Sequence, residues 1–239
     1  MLAEADELAK TMTPEDDHKL VENIIVKTQG FVSGNISEDD EAPLERFREL
    51  LALYKGITRE KLRENMQWFL QQIIPVCREW DMRMCVHPDD PPIQLLRLPR
   101  IITSEEDIDW LFSAVDDWHN GLTLCCGSLS ASLRNDIPKM ARKYAKRTQF
   151  VHLRSTDVQP NGDFIEADHL KGRANLVEVC RIMEEMNPTV PMRVDHGRTM
   201  LGDESKGYNA GYSFHGRMMG LAQMDGVMAA VKSLKSLTP

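Results

Sequence analysis

Residues 149–154 read Gln149-Phe150-Val151-His152-Leu153-Arg154, an apolar run that stops on an imidazole and then turns polar. Three other runs share the design: Arg83-Met84-Cys85-Val86 stops at His87, Leu122-Thr123-Leu124 at Cys125, and Pro191-Met192-Arg193-Val194 at Asp195. A short apolar run bounded by polar residues marks a buried strand, and each of these ends on a residue able to hold a divalent metal. The ends lie 38, 27 and 43 residues apart. Such intervals accommodate a strand, a loop and a crossover helix, so the four ends can converge on one face of a parallel sheet.

Helical patterns fill the spaces between the runs. From Thr58, the residues Leu62, Met66, Phe69, Leu70, Ile73, Ile74 and Cys77 recur at helical spacing and predict a long amphipathic helix, with Pro75 marking a kink near its end. Ser104 with Asp107 resembles a capping box and opens a helix through about Asp117. Residues Asp136 to Ala145, Leu176 to Met186 and Met218 to Leu234 supply three more helices. Alternating strands and helices predict a parallel α/β architecture. Only four strands are visible, whereas a closed (β/α)8 TIM barrel needs eight and takes about 250 residues. The expectation is about the second half of such a barrel, four βα units over residues 43–239; an open four-stranded sheet is the other possibility, with two exposed edges that a second copy in a homo-oligomer would cover.

The chain of 239 residues is 42% apolar and 28% charged, the balance of a globular domain. Its net charge of −8 arises from residues 1–50, which hold thirteen Asp and Glu against five Lys and Arg. Residues 1–42 therefore read as a solvated, acidic and partly mobile segment. No basic stripe invites nucleic acid, and no stretch approaches the roughly 20 apolar residues of a membrane span. Five cysteines, an odd number without a secretory signal, predict a reducing and so cytoplasmic location.

The strand ends carry the chemistry. His87 leads into Pro88-Asp89-Asp90-Pro91-Pro92, and two adjacent carboxylates between prolines belong at a mouth, not in a core. Cys125 and Cys126 alternate in direction, so at most one faces the site, and spacing does not choose between them. Asp195-His196-Gly197-Arg198 places two ionisable groups, a glycine and a guanidinium in succession, a poor core sequence and a good active-site loop. Two imidazoles, one thiolate and one carboxylate suit Mn²⁺, Fe²⁺ or Zn²⁺ as a Lewis acid. Downstream, Asn209-Ala210-Gly211-Tyr212-Ser213 forms a loop that can fold back over the mouth and bring the Tyr212 hydroxyl in as a general acid. No dinucleotide or phosphate-loop fingerprint competes.

The runs His87-Pro88-Asp89-Asp90-Pro91-Pro92, Leu98-Pro99-Arg100-Ile101, Gly121-Leu122-Thr123-Leu124-Cys125-Cys126-Gly127-Ser128-Leu129, Phe150-Val151-His152-Leu153-Arg154 and Asp195-His196-Gly197-Arg198 resemble the mannonate dehydratase family from about Pro43 onward. The resemblance implies a TIM barrel of the xylose-isomerase-like type and the dehydration of D-mannonate to 2-dehydro-3-deoxy-D-gluconate with Mn²⁺ or Fe²⁺, in hexuronate catabolism. It implies His87, Cys125, His152 and Asp195 as metal ligands, with Cys126 standing where the family usually has threonine. It further implies His196 and Tyr212 as the proton-transfer pair, with Arg198, Arg154 and the loop carboxylates Asp89 and Asp90 at the sugar acid.

Three departures qualify the resemblance: the first four barrel strands have no counterpart here, Cys126 replaces threonine, and Gly172-Arg173-Ala174-Asn175 lacks the family's acidic character. Two alternatives follow, a truncated non-catalytic remnant that binds metal, and a related metal-dependent sugar isomerase or epimerase.

Overall fold

The computed structural model describes residues 2–30, 43–203, 205–208 and 211–236. Two compact units divide at Ile57–Thr58. In the first, α1 (Leu2–Ala9) and α2 (Pro14–Leu20) precede a π-helix (Val21–Gly30), and α3 (Pro43–Ala52) follows. The acidic segment is thus helical where it is described, with nearly all of residues 3–20 exposed to solvent. The reason is local: Thr13 accepts from the Asp16 N–H, the Asp16 carboxylate accepts from the Thr13 N–H, and Pro14 fills the first helical position. Ile25 and Phe47 are the buried apolar residues of this unit, with Val21, Leu50 and Leu51 packed around them. The run Glu38-Asp39-Asp40-Glu41 lies outside the described residues.

The second unit begins with α4 (Arg59–Glu79), capped by Thr58 and buried along Leu70, Ile74 and Cys77. It continues through β1 (Met84–Val86), α5 (Glu105–Ala114), β2 (Asn120–Cys125), α6 (Cys126–Ser130), α7 (Ile137–Tyr144), a 3₁₀ turn (Ala145–Arg147), β3 (Thr148–His152), β4 (Thr156–Val158), β5 (Phe164–Glu166), α8 (Leu176–Met186), β6 (Met192–Arg193) and α9 (Phe214–Ser236). Four strands form one parallel sheet in the order β1-β2-β3-β6, with Cys125 opposite His152 and His152 opposite Arg193. β2 is buried throughout, as a central parallel strand covered on both faces should be. α7 covers the sheet with Ile137, Met140, Ala141 and Tyr144, and α8 with Leu176, Val179, Cys180, Ile182 and Met183.

Among the described residues the sheet is open, bounded by β1 and β6, and a closed TIM barrel is not formed. Four strands curl too little to meet edge to edge. An antiparallel hairpin, β4 with β5, is inserted after β3. Its turn, Gln159-Pro160-Asn161-Gly162-Asp163, places Gly162 at φ +95°.

Helix ends depart from the sequence pattern for identifiable reasons. α5 stops at Ala114 because the Asn120 amide donates to the Leu111 and Val115 carbonyls at 3.1 and 3.0 Å. Its capping box is one-sided: Ser104 accepts from the Asp107 N–H, while the Asp107 carboxylate accepts from Thr103 and pairs with Arg59 and Arg63. α9 starts at Phe214, before Met218, because the Ser213 hydroxyl accepts from the Gly216 N–H at 3.0 Å. No helix among the described residues is long and apolar enough to cross a membrane.

Candidate metal centre and its surroundings

In a parallel sheet all strands present the same end to one face, which brings the three C-terminal residues His87, Cys125 and His152 together. Their donor atoms lie within 4.8 Å of one another. His87 Nδ1 is 2.7 Å from the Pro88 carbonyl, which can only accept, so Nδ1 carries the proton and the Nε2 lone pair is left for another partner. That Nε2 stands 3.3 Å from His152 Nδ1. Two nitrogens each about 2.0–2.1 Å from one tetrahedral cation stand roughly 3.3–3.4 Å apart, so the imidazole spacing fits a shared divalent ion.

Asp195 lies beside this triad, outside the mutually close set. Its Oδ2 is 3.8 Å from His152 Nδ1 and 3.7 Å from His196 Nε2, and its Oδ1 accepts from Arg193 at 3.0 Å. The backbone explains the position: Asp195 is in the left-handed region at φ +54°, two residues past the end of β6.

The choice between the two cysteines is decided by direction. Cys126 is fully buried in the apolar core, and burial, with Cys125 and Cys180 nearby, pushes its thiol pKa far up, so it stays protonated. Cys125 caps α6, its sulfur accepting from the Ser128 N–H at 3.5 Å with the Ser128 hydroxyl at 3.0 Å.

Ser128 leads to a charged network. Its hydroxyl is also 3.0 Å from Asp90 Oδ2, and Asp90 in turn pairs with Arg154, whose Nε and Nη2 bond the Glu166 carboxylate. Burial alone would raise the Asp90 carboxyl, but the Arg154 charge and the hydrogen bonds from Arg154 and Ser128 outweigh it and hold the pKa below the ordinary carboxylate range. Arg154 is 4% exposed with its donors taken up by these two carboxylates, which makes it an anchor of the site, in place of the substrate contact expected from sequence. A Cβ at Gly127 would overlap the Arg154 side chain, so only glycine admits this approach. Asp89 also departs from the expected role: its Oδ2 accepts from the Ile101 and Ile102 N–H groups, both at 2.8 Å, and its Oδ1 meets Arg100, so it pins its own loop.

His196 and Tyr212 do come together, with ring centroids 4.9 Å apart. Burial and then the Arg154 charge push the His196 pKa down, leaving the imidazole neutral near pH 7. Burial and then Asp195 push the Tyr212 phenol up, keeping its proton. Gly211, at φ +79°, passes so close to Gly197 that a Cβ would overlap the Gly197 carbonyl, and the Gly197 N–H donates to the Gly211 carbonyl at 3.2 Å. Asn209 and Ala210 of the same loop lie outside the described residues. A cleft of about 420 Å³ opens here between Glu166, His196, Arg198 and Gly211, within the roughly 300–1,000 Å³ range of small-molecule sites. Arg198 is half exposed at its rim, 3.4 Å from Asp168.

Sequence reading missed Glu166, Ser128 and Arg217. Glu166 arrives on the hairpin, whose Pro-Asn-Gly turn was the available signal. Ser128 was readable only from its place three residues after Cys125, and Arg217 carries no local signal within the helical pattern of α9.

The family model for D-mannonate dehydratase (UxuA) matches residues 5–238. A mannonate dehydratase of Marinomonas sp. (strain MWYL1) is 38% identical over 241 residues, covering 97% of this chain and 60% of that protein. One of Thermotoga neapolitana is 37% identical over 232 residues, covering 95% of this chain and 62% of that protein. The crystal structure of mannonate dehydratase from Streptococcus suis serotype 2 superposes with a TM-score of 0.75 at 29% identity, covering 83% of this chain and 57% of that one. The chain thus spans about three-fifths of the length of the curated relatives it matches. These matches correct the expectation that the resemblance starts at Pro43 after an unrelated acidic preamble, since they run from residue 5 and take in nearly all of this chain. Neither the truncated remnant nor the sugar isomerase finds support in them.

Proposed function

This chain belongs to the D-mannonate dehydratase family, and from that premise we propose that it dehydrates D-mannonate to 2-dehydro-3-deoxy-D-gluconate by β-elimination. The observation that carries the reading is the convergence of the donor atoms of His87, Cys125 and His152 within 4.8 Å of one another, beside the paired His196 and Tyr212 rings. His87 Nε2, Cys125 Sγ and His152 Nδ1 would hold a divalent ion, with Asp195 Oδ2 next to them, and Mn²⁺ or Fe²⁺ suits this donor set. When bound, the ion supplies Lewis-acid stabilisation of negative charge developing on the sugar acid.

The chain's own residues move the protons. His196, neutral, takes the proton from C2 on Nε2, the nitrogen turned toward Asp195, while Nδ1 faces Glu166 at 3.9 Å. Tyr212 donates its phenolic proton to the 3-hydroxyl, which departs as water, and the resulting enol tautomerises to the 2-keto acid. The imidazolium and tyrosinate return to their starting states by proton exchange with solvent. Arg198, at the cleft rim, binds the substrate carboxylate. Arg154 keeps Glu166 and Asp90 in place around the two halves of the site. The five cysteines are free, as a reducing cytoplasm would keep them.

The test is product identity. The purified 239-residue chain incubated with D-mannonate and Mn²⁺ should yield the 2-keto-3-deoxy acid, seen by NMR. Unchanged D-mannonate in the presence of a folded, metal-loaded chain would contradict the proposal.

A further inference from the structure

Arg217 stands in the first turn of α9 and touches both Tyr212 and the backbone of Asp195, the residue before His196. Its Nε donates to the Asp195 carbonyl at 3.1 Å, and its guanidinium carbon lies 4.8 Å from the centroid of the Tyr212 ring. The first contact fastens a backbone in an uncommon conformation. A non-glycine residue at φ +54° is uncommon and strained, and Asp195 keeps that conformation with its own carbonyl tied to Arg217 and the preceding Val194 carbonyl tied to His169 Nε2 at 2.9 Å. The second contact places a permanent positive charge against an aromatic face. A guanidinium is planar and always charged, so one side chain can serve both partners at once.

We infer that Arg217 is a positioning residue that ties the Asp195–His196 turn to Tyr212 and holds positive charge beside the phenol as it gives up its proton. The inference rests on the proposed role of Tyr212 as acid. As the phenolic O–H bond breaks and the substrate C–O bond is lost as water, negative charge appears on Tyr212. The guanidinium over the ring stabilises that charge in the transition state more than in the resting phenol, which is the condition for raising turnover. It does not contact the metal donors His87, Cys125 and His152 through any bond seen in the structure, so its effect belongs to kcat.

The experiment is a double-mutant cycle between Arg217→Met and Tyr212→Phe, with kcat and KM for D-mannonate and metal content measured on each full-length variant. Arg217→Met should lower kcat by about tenfold or more, leave KM and bound metal nearly unchanged, and cost markedly less in the Tyr212→Phe background, where only the loosened Asp195–His196 turn remains to be felt. An Arg217→Met loss of equal size in both backgrounds, or no loss of kcat, overturns the inference. Unchanged turnover in Tyr212→Phe alone would instead remove the acid role of Tyr212, which separates failure of the premise from failure of the inference. Should the Met variant not fold, Arg217→Gln, which removes the charge and keeps a side-chain N–H donor, is put through the same cycle under the same criteria.

Discussion

His87 Nε2 and His152 Nδ1 are 3.3 Å apart, although the two residues belong to strands separated by β2. Cys125, at the end of that intervening strand, completes the triangle. With the His87 Nδ1 committed to the Pro88 carbonyl, its Nε2 lone pair faces His152 Nδ1 and the Cys125 sulfur, a donor set that a divalent cation could share. The metal-binding reading of the strand ends therefore rests on geometry as well as on residue type.

The two neighbouring cysteines should behave differently. Replacing Cys125 with Ala should weaken metal binding by more than about 100-fold, beyond the 10–100-fold typical of outer-shell changes. Replacing Cys126 with Ala should leave metal uptake intact. Competition against a chromophoric chelator measures both.

Ser128 offers a graded test of the sulfur's surroundings. Its hydroxyl is 3.0 Å from Cys125 Sγ and 3.0 Å from Asp90 Oδ2. Ser128→Ala should lower metal affinity by about 10- to 100-fold while the chain still folds. An unchanged affinity in the same competition assay would show that the hydroxyl does nothing for the thiolate.

Gly127→Ala should destabilise the second unit by about 1–3 kcal/mol, the usual range for forcing extra volume into a packed site. The added methyl meets the Arg154 side chain, which is held by Asp90 and Glu166 and has nowhere to retreat. Denaturant midpoints of the two proteins check this.

Much of this arrangement could be read from the chain before any coordinates. The four strand ends and the 137–144 and 176–186 helices follow from apolar runs, caps and spacing, whereas the pairing of His196 with Tyr212 was implied by the family resemblance. What spacing could not show was long-range pairing. The family resemblance put Arg154 at the sugar acid, and only the hairpin's Glu166 and the loop's Asp90 reveal that it is already engaged. The helices of residues 2–30 were hidden by acidic composition, although Thr13-Pro14-Glu15-Asp16 carried a capping signal. Asp195 was placed among the ligands by its position after an apolar run, while its left-handed backbone sets it beside them.

Away from the site, Asp117 gives a pH test of stability. The His119 N–H and then Arg78 hold its carboxyl far below the usual range. A depressed carboxyl stabilises the fold above its unfolded pKa of about 3.9, and that contribution fades as pH falls below it. Asp117→Asn should therefore be less stable than the parent at pH 7, with the gap narrowing from about pH 5 downward. Urea unfolding across that range measures it.

The proposed dehydration requires one divalent ion held by His87, Cys125 and His152. The direct measurement is to strip the chain with a chelator, add Mn²⁺ back in steps, and record bound metal and D-mannonate turnover together, with His152→Ala alongside. Activity should rise in proportion to occupancy and saturate at one ion per chain, with neither binding nor turnover in the variant. Full turnover by the stripped chain, or metal binding that survives His152→Ala undiminished, would contradict that requirement.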